Sequence, residues 1–312
     1  MAKHIDIWLV RHGERLDHVN PEWMKTAKRP FDPPLTDAGR NQAKQTGERL
    51  KNEKIQRIFC SPFLRCVETA QGIAGFHKDV RICIEPGVGE SMDEKDLNRH
   101  FELADKIRKS RGTTEANAKP SSSKEVKTDE EEDIETQHPT ELVKLCPNVD
   151  VSYKSDIVVK LPETANQTLL RTLRATHKLL EQCAKEQLMG IAFVTHATPL
   201  QYLLSALGAI DVASALAKFP TYTSVTHCRG AHPAAASEDA ITSSAGSAPG
   251  SASPSSPRKR KHDDAESEER ILRDSIGRFE FELHVHADTS HLSYLGVANQ
   301  GQDLPQKPKA VA

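Results

Sequence analysis

The sequence predicts an α/β domain, and three observations carry that expectation. The apolar runs Ile5–Val10 and Ile191–Thr195 have the length of buried strands, and each stops at a histidine. Helix-start signals fall between the strand-like runs, so strand and helix alternate along the chain, the order of an α/β fold. Two stretches, at about 110–140 and 235–270, interrupt that alternation with residues that cannot build a core.

Each element follows from local chemistry. Ile5–Val10 is a buried strand that runs directly into Arg11-His12-Gly13. Residues 16–35 read as a loop carrying Trp23, because Pro30, Pro33 and Pro34 forbid a helix interior there. Thr36 reads as the N-cap of a helix reaching about Leu50, with Ala43, Gly47 and Leu50 on one face. Ile55–Cys60 is a second strand. Ser61-Pro62 then has the pattern of a cap followed by proline at the first helical position, and the helix to about Gly75 carries Arg65 in its first turns. Val80–Ile84 is a third strand.

In the first interruption, Glu125–Glu135 sets seven acids against one lysine, so a disordered insertion is expected. Order resumes near Leu142. Glu163–Gln187 reads as a long helix, with Leu169, Leu170, Leu173, His177 and Leu180 at helical spacing and Gly190 as its stop. Ile191–Thr195 is a core strand, Thr198-Pro199 opens a helix through Leu207, and Tyr222–His227 is a further strand. The second interruption is rich in Ala, Ser and Pro and ends in the basic run Arg258–Lys261. Gly277–Val285 alternates Phe279, Phe281, Leu283 and Val285 as a half-buried strand. Residues 1–299 are therefore read as one domain with two disordered insertions, and 300–312 as a flexible tail.

Bulk properties narrow the function classes. Of 312 residues, 37% are hydrophobic and 28% charged, a lean supply of apolar residues that fits a core diluted by the insertions. The net charge of −2 does not imply direct binding to nucleic acid, and no apolar run is long enough for a membrane span. The N-terminus lacks the long apolar stretch of a signal peptide. Six scattered cysteines without Cys-x-x-Cys spacing read as reduced thiols. A cytoplasmic protein is expected, with Arg258–Lys261 as a candidate nuclear import signal.

The chemistry concentrates at strand ends. His12 follows an apolar strand and is preceded by Arg11, whose fork suits a phosphoryl oxygen. Gly13 permits a tight turn and is expected to leave backbone N–H groups open toward an anion. For its imidazole to attack phosphorus, one ring nitrogen must be free of a proton and the other held by an acceptor, for which a backbone carbonyl of the turn is the candidate. His196 and Arg65 also follow strand ends, so three strand ends are expected to converge on one sheet edge.

Arg11-His12-Gly13 resembles the signature of the histidine phosphatase superfamily, the group that includes the cofactor-dependent phosphoglycerate mutases. Further matches follow in family order: Pro34-Leu35-Thr36 with Gly39 and Gln42-Ala43, Ser61-Pro62 with Arg65 and Thr69-Ala70, Glu85-Pro86-Gly87 with Glu90, and Val194-Thr195-His196. Glu14-Arg15 with Asp17, Trp23 and Arg65-Cys66 resembles the branch holding the phosphatase domain of T-cell ubiquitin-ligand proteins and the steroid-phosphate phosphatases.

The resemblance implies a three-layer sandwich, with a mostly parallel central sheet flanked by helices. It also implies roles by position. His12 becomes phosphorylated, Arg11, Arg65 and His196 hold the phosphoryl oxygens, and Glu90 protonates the leaving oxygen and then activates water. Glu85 is the near alternative for that acid, with Asp93 and Glu94 behind it. Arg15 is a candidate fourth cation for the substrate, against a solvated surface arginine. Trp23, Phe31 and His100 are candidates for the leaving-group pocket, against ordinary loop packing. One departure is Ala197, where the family often has glycine.

The function expected is a metal-independent phosphomonoesterase acting on a phosphorylated small molecule or a phosphotyrosine protein, with no cofactor. The alternatives are a scaffold that keeps the fold with little or no activity, and a phosphoglycerate mutase. Glu14 and His18 depart from the mutase pattern at two positions. Proteins binding the insertions, and a second copy of the chain in a homodimer, complete the expected partners.

Overall fold

The computed structural model describes residues 4–109, 139–231 and 257–293. The acid-rich segment 125–135 and the tail 300–312 lie outside the described residues. One six-stranded sheet organises the described residues, in the order β3-β2-β4-β1-β5-β6. Its strands are β1 (His4–Arg11), β2 (Arg57–Cys60), β3 (Arg81–Ile84), β4 (Gly190–Thr195), β5 (Val225–Ala231) and β6 (Glu282–Asp288). Neighbours from β3 through β1 pair in parallel, whereas β5 runs antiparallel to both β1 and β6.

Strand alternation divides the side chains between two cores. Ile5, Ile7 and Leu9 of β1, with Ile191 and Phe193 of β4, face helices α6 (Ala165–Lys185), α7 (Ala197–Ala206) and α9 (Pro257–Gly277). Trp8, Val10, Ala192 and Val194 face the other way, onto α2 (Asp37–Leu50), α3 (Leu64–Ala74) and α5 (Pro139–Leu145). The result is the three-layer α/β sandwich with a mostly parallel sheet. All six cysteines are buried free thiols.

Several local expectations are corrected. The loop 16–35 contains a short helix, α1 (Leu16–Val19), and a 3₁₀ turn at Pro21–Lys25. Thr36 caps α2 as expected, accepting from the Gly39 N–H. Ser61 and Thr198, however, are not the N-caps of their helices. α3 begins at Leu64, and its exposed N–H at that residue is taken by Asp32 Oδ1 from the preceding loop at 2.8 Å. α7 starts from His196 without a side-chain cap.

The α6 helix starts later than Glu163, from a Thr164–Gln167 capping box. Its buried face runs through Thr168, Arg171, Thr172, Ala175 and Thr176, leaving Leu169, Leu170 and His177 half-buried. Gly190 does not stop α6 but opens β4; the chain reverses at Gln187, whose φ of 55° is left-handed. Helix α4 (Glu94–Lys109), which packs on the 3₁₀ turn, has no counterpart in the expected elements. α9 begins at Pro257, inside the stretch read as an insertion, so Arg258–Lys261 lies on a helix.

Candidate active site

The four parallel strands β1 to β4 end at one edge of the sheet, and each is followed by a polar residue of the site. The turn after β1 carries His12, and β4 runs into His196. Arg65 stands in the first turn of α3 beyond β2, and Glu90 follows the 3₁₀ turn Pro86–Val88 beyond β3.

The turn at His12 is held by hydrogen bonds, not left open. The His12 N–H donates to the Thr195 carbonyl (3.0 Å), Gly13 N–H to Thr69 Oγ1 (3.0 Å) and Glu14 N–H to Gln42 Oε1 (2.9 Å). All three amides are occupied, which corrects the expectation that they face an anion. Gly13 is needed for close approach: a Cβ there would stand 2.7 Å from the Gly39 carbonyl oxygen at the start of α2. A Cβ on Gly39 would in turn collide with the Glu14 carbonyl.

His12 Nδ1 lies 2.8 Å from the Gly13 carbonyl. A carbonyl only accepts, so Nδ1 carries the proton and Nε2 keeps its lone pair. Burial, with the charges of Arg65, Arg11 and His196, holds the ring's pKa well below the usual histidine range, against the pull of the Gly13 carbonyl. His12 is therefore neutral near pH 7.

His196 is fully buried between two partners. Its Nδ1 stands 3.1 Å from Glu90 Oε2, and its Nε2 2.7 Å from Ser61 Oγ. Cys66 Sγ approaches the same Nε2 at 3.4 Å, and the Phe63 ring meets the imidazole edge-on at 5.2 Å between centroids. Burial pushes the Cys66 thiol far above its ordinary value, so it is a protonated neighbour, not a thiolate.

Arg65 has no exposed side-chain surface and pairs with Glu90 Oε2 at 3.1 Å, with Asp32 Oδ1 further away at 3.8 Å. Its Nε is buried and makes no hydrogen bond. Glu90 is half-buried, with 18% of its side chain accessible. Burial raises its carboxyl pKa, but His196, Arg65 and Arg15 outweigh burial and hold it well below the usual carboxylate range. Arg11 donates to the Pro220 carbonyl at 2.9 Å and packs its guanidinium over Tyr222 and Phe219.

The outer candidates separate. Arg15 is not a solvated surface residue: Asp17 takes it in a bidentate pair at 3.0 and 2.7 Å, and its charge reaches Glu90 and His196. His100, on α4, has its pKa lowered to about 4, by burial first and then by the charge of Arg15. Phe31 is buried with Phe63, Met92 and Leu97, and its carbonyl accepts from Arg65 at 3.4 Å. Trp23 is half-buried on the 3₁₀ turn, and its indole makes no hydrogen bond or ring contact with the cluster.

Glu85, the alternative acid, is engaged away from the cluster: it accepts from Gly87 N–H, Tyr153 O–H and Ser155 O–H and braces the loop. Asp93 and Glu94 are exposed at the start of α4. Residues the sequence reading passed over are Ser61 as the partner of His196, Thr69 and Gln42 as supports of the turn, and Tyr222, whose O–H meets His18 Nδ1 at 2.6 Å.

One ligand atom from each of His12, Glu90 and His196 fits within a 4.8 Å cluster, a spacing that would suit a metal ion. The donor set argues for an anion instead. Glu90 is already paired with Arg65, and the fixed charges of Arg65 and Arg11 act on His12.

Paired histidines, forked arginines and one carboxylate thus stand together at the carboxyl edge of the parallel strands. Residues 7–136 match the pattern of the histidine phosphatase superfamily, branch 1. The ecdysteroid-phosphate phosphatase of Bombyx mori is 27% identical over 232 residues, which are 64% of this chain and 30% of that protein. Ubiquitin-associated and SH3 domain-containing protein A of Mus musculus is 33% identical over 118 residues, 28% of this chain and 19% of that protein. The chain thus spans less than a third of the length of either relative. The crystal structure of the Bombyx ecdysone phosphate phosphatase in complex with tungstate shares the fold. It has a TM-score of 0.52 and 22% identity, covering 72% of this chain and 89% of that one.

Proposed function

We propose that the protein is a phosphomonoesterase that works through a phosphohistidine on His12. The observation that carries the proposal is the 2.8 Å contact of His12 Nδ1 with the Gly13 carbonyl, which leaves Nε2 unprotonated among Arg65, His196 and Glu90. The phosphate dianion of the substrate binds between Arg11, Arg65 and His196. Its charge offsets the cations that depress Glu90, so Glu90 takes up a proton as the substrate arrives. Nε2 then attacks phosphorus while the ester P–O bond breaks, and Glu90 delivers its proton to the leaving alkoxide. In the second half, Glu90 removes a proton from water, the water oxygen attacks phosphorus, and the P–N bond breaks to return the lone pair to Nε2.

The branch resemblance supports a small-molecule ester or phosphotyrosine as substrate, and the names of the Bombyx relatives make a steroid phosphate a direct candidate. The test uses p-nitrophenyl phosphate, ecdysteroid phosphate and a phosphotyrosine peptide, each with excess chelator. Rapid-quench trapping should find a base-stable, acid-labile phosphoenzyme in the unsubstituted protein and none in His12→Ala. Turnover by His12→Ala equal to that of the unsubstituted protein would sink the proposal.

A further inference from the structure

Arg171 of α6 is 5% exposed, touches no member of the phosphate cluster through its guanidinium except one backbone carbonyl, and has no role in the chemistry above. Its contacts nevertheless converge on one short segment. Nη1 donates to the carbonyls of Pro86 (3.2 Å), Gly87 (3.0 Å) and Gly89 (3.3 Å), and Nη2 donates to the carbonyl of Glu90 (3.2 Å). The remaining carbonyl in the run, Val88, accepts from Thr195 Oγ1, one residue before His196. Every carbonyl from Pro86 to Glu90 is therefore anchored, four of them by a single guanidinium.

The charge is balanced locally. Glu163 accepts from Arg171 Nε at 3.1 Å and from Nη2, and also takes the Thr168 hydroxyl at 2.9 Å. The Glu163 N–H donates to the Met92 carbonyl at 2.8 Å, and Ser91 Oγ meets Thr168 Oγ1 at 3.0 Å, so the segment beyond Glu90 is tied to the same end of α6. A buried ion pair is costly to assemble, and a hydrophobic pair of similar size would often serve stability as well. What a hydrophobic pair could not do is gather four carbonyls.

We infer that Arg171 is the positioning residue for Glu90: it fixes the backbone that sets the carboxyl group against the leaving oxygen and leaves phosphate binding to Arg11, Arg65 and His196. This rests on Glu90 being the acid. The requirement for an acid grows as the leaving alcohol becomes more basic, so the loss should depend on the leaving group.

The experiment compares kcat/KM for p-nitrophenyl phosphate and benzyl phosphate in the full chain, for Glu90→Gln, Arg171→Lys and the charge-balanced double variant Arg171→Gln with Glu163→Gln. Inhibition by inorganic phosphate and thermal unfolding are measured beside them. Benzyl phosphate turnover should fall roughly tenfold or more beyond the fall for p-nitrophenyl phosphate in all three, with phosphate inhibition unchanged in the two Arg171 variants. The double variant carries the test if Arg171→Lys does not fold. Equal losses on both esters in the folded Arg171 variants, with the leaving-group effect present in Glu90→Gln, would overturn the inference alone. Equal losses in Glu90→Gln itself would overturn the acid assignment and the inference with it.

Discussion

Replacing Thr69 by valine tests how the turn at His12 is held. Thr69 is fully buried, and its Oγ1 accepts the Gly13 N–H at 3.0 Å while donating to the Arg65 carbonyl at 2.7 Å. Valine keeps the volume, so no cavity opens, but the buried Gly13 N–H loses its acceptor. A buried donor left unsatisfied costs about 1–3 kcal/mol. Thr69→Ser keeps the hydroxyl and removes one methyl, which costs about 0.8 kcal/mol by area. The bulkier, volume-conserving substitution should therefore be the more damaging one. Urea unfolding followed by circular dichroism gives both values by linear extrapolation, provided the m-value is unchanged. Turnover of p-nitrophenyl phosphate should fall in Thr69→Val as well, because the same turn carries His12 and the carbonyl that holds its Nδ1 proton. A valine variant as stable as the serine variant would refute the reasoning.

Two further outcomes follow from the same geometry. His12 and His100 have pKa values below the unfolded value of 6.5, His100 at about 4, so the unfolded chain binds more protons as pH falls. Stability should be fully present above about pH 6.5 and decline toward pH 4, seen as a lower urea midpoint at pH 5 than at pH 7.5; a rising midpoint over that interval contradicts it. Glu85→Gln should leave the leaving-group dependence intact while lowering stability by about 1–3 kcal/mol, because its carboxylate accepts from Gly87, Tyr153 and Ser155 and not from the cluster. A thermal melt and a pair of esters decide it.

The parts of the fold that were legible in the sequence are those fixed by short-range pattern. β1 from Ile7 onward and β4 from Ile191 are apolar runs because both faces of these central strands are covered, and a chain that leaves such a strand must turn at once. That is why His12 and His196 could be read as neighbours across 184 residues. α4 escaped because only Leu97 and Ala104 of its residues are buried, too thin a stripe to register as a period. Ser61 was misread because a cap and a pocket hydroxyl look alike in sequence; only the later arrival of Asp32 at the Leu64 N–H shows that the cap is filled from elsewhere. Arg171 is hidden for a similar reason. A charged residue on an otherwise buried helix face is a signal, but its partners are backbone carbonyls, which no residue type announces.

The order of strands in the sheet has a consequence for how the protein is made. β1 lies between β4 and β5, and both are encoded far downstream of it. At the usual pace of synthesis, about 5–20 residues per second, β1 waits roughly 10–40 s for the roughly 180 residues that precede its parallel partner. Through that interval Ile5, Ile7, Leu9 and Val10 have no parallel partner to pair with, so the segment that bears His12 keeps its apolar side chains uncovered while the rest of the sheet is made.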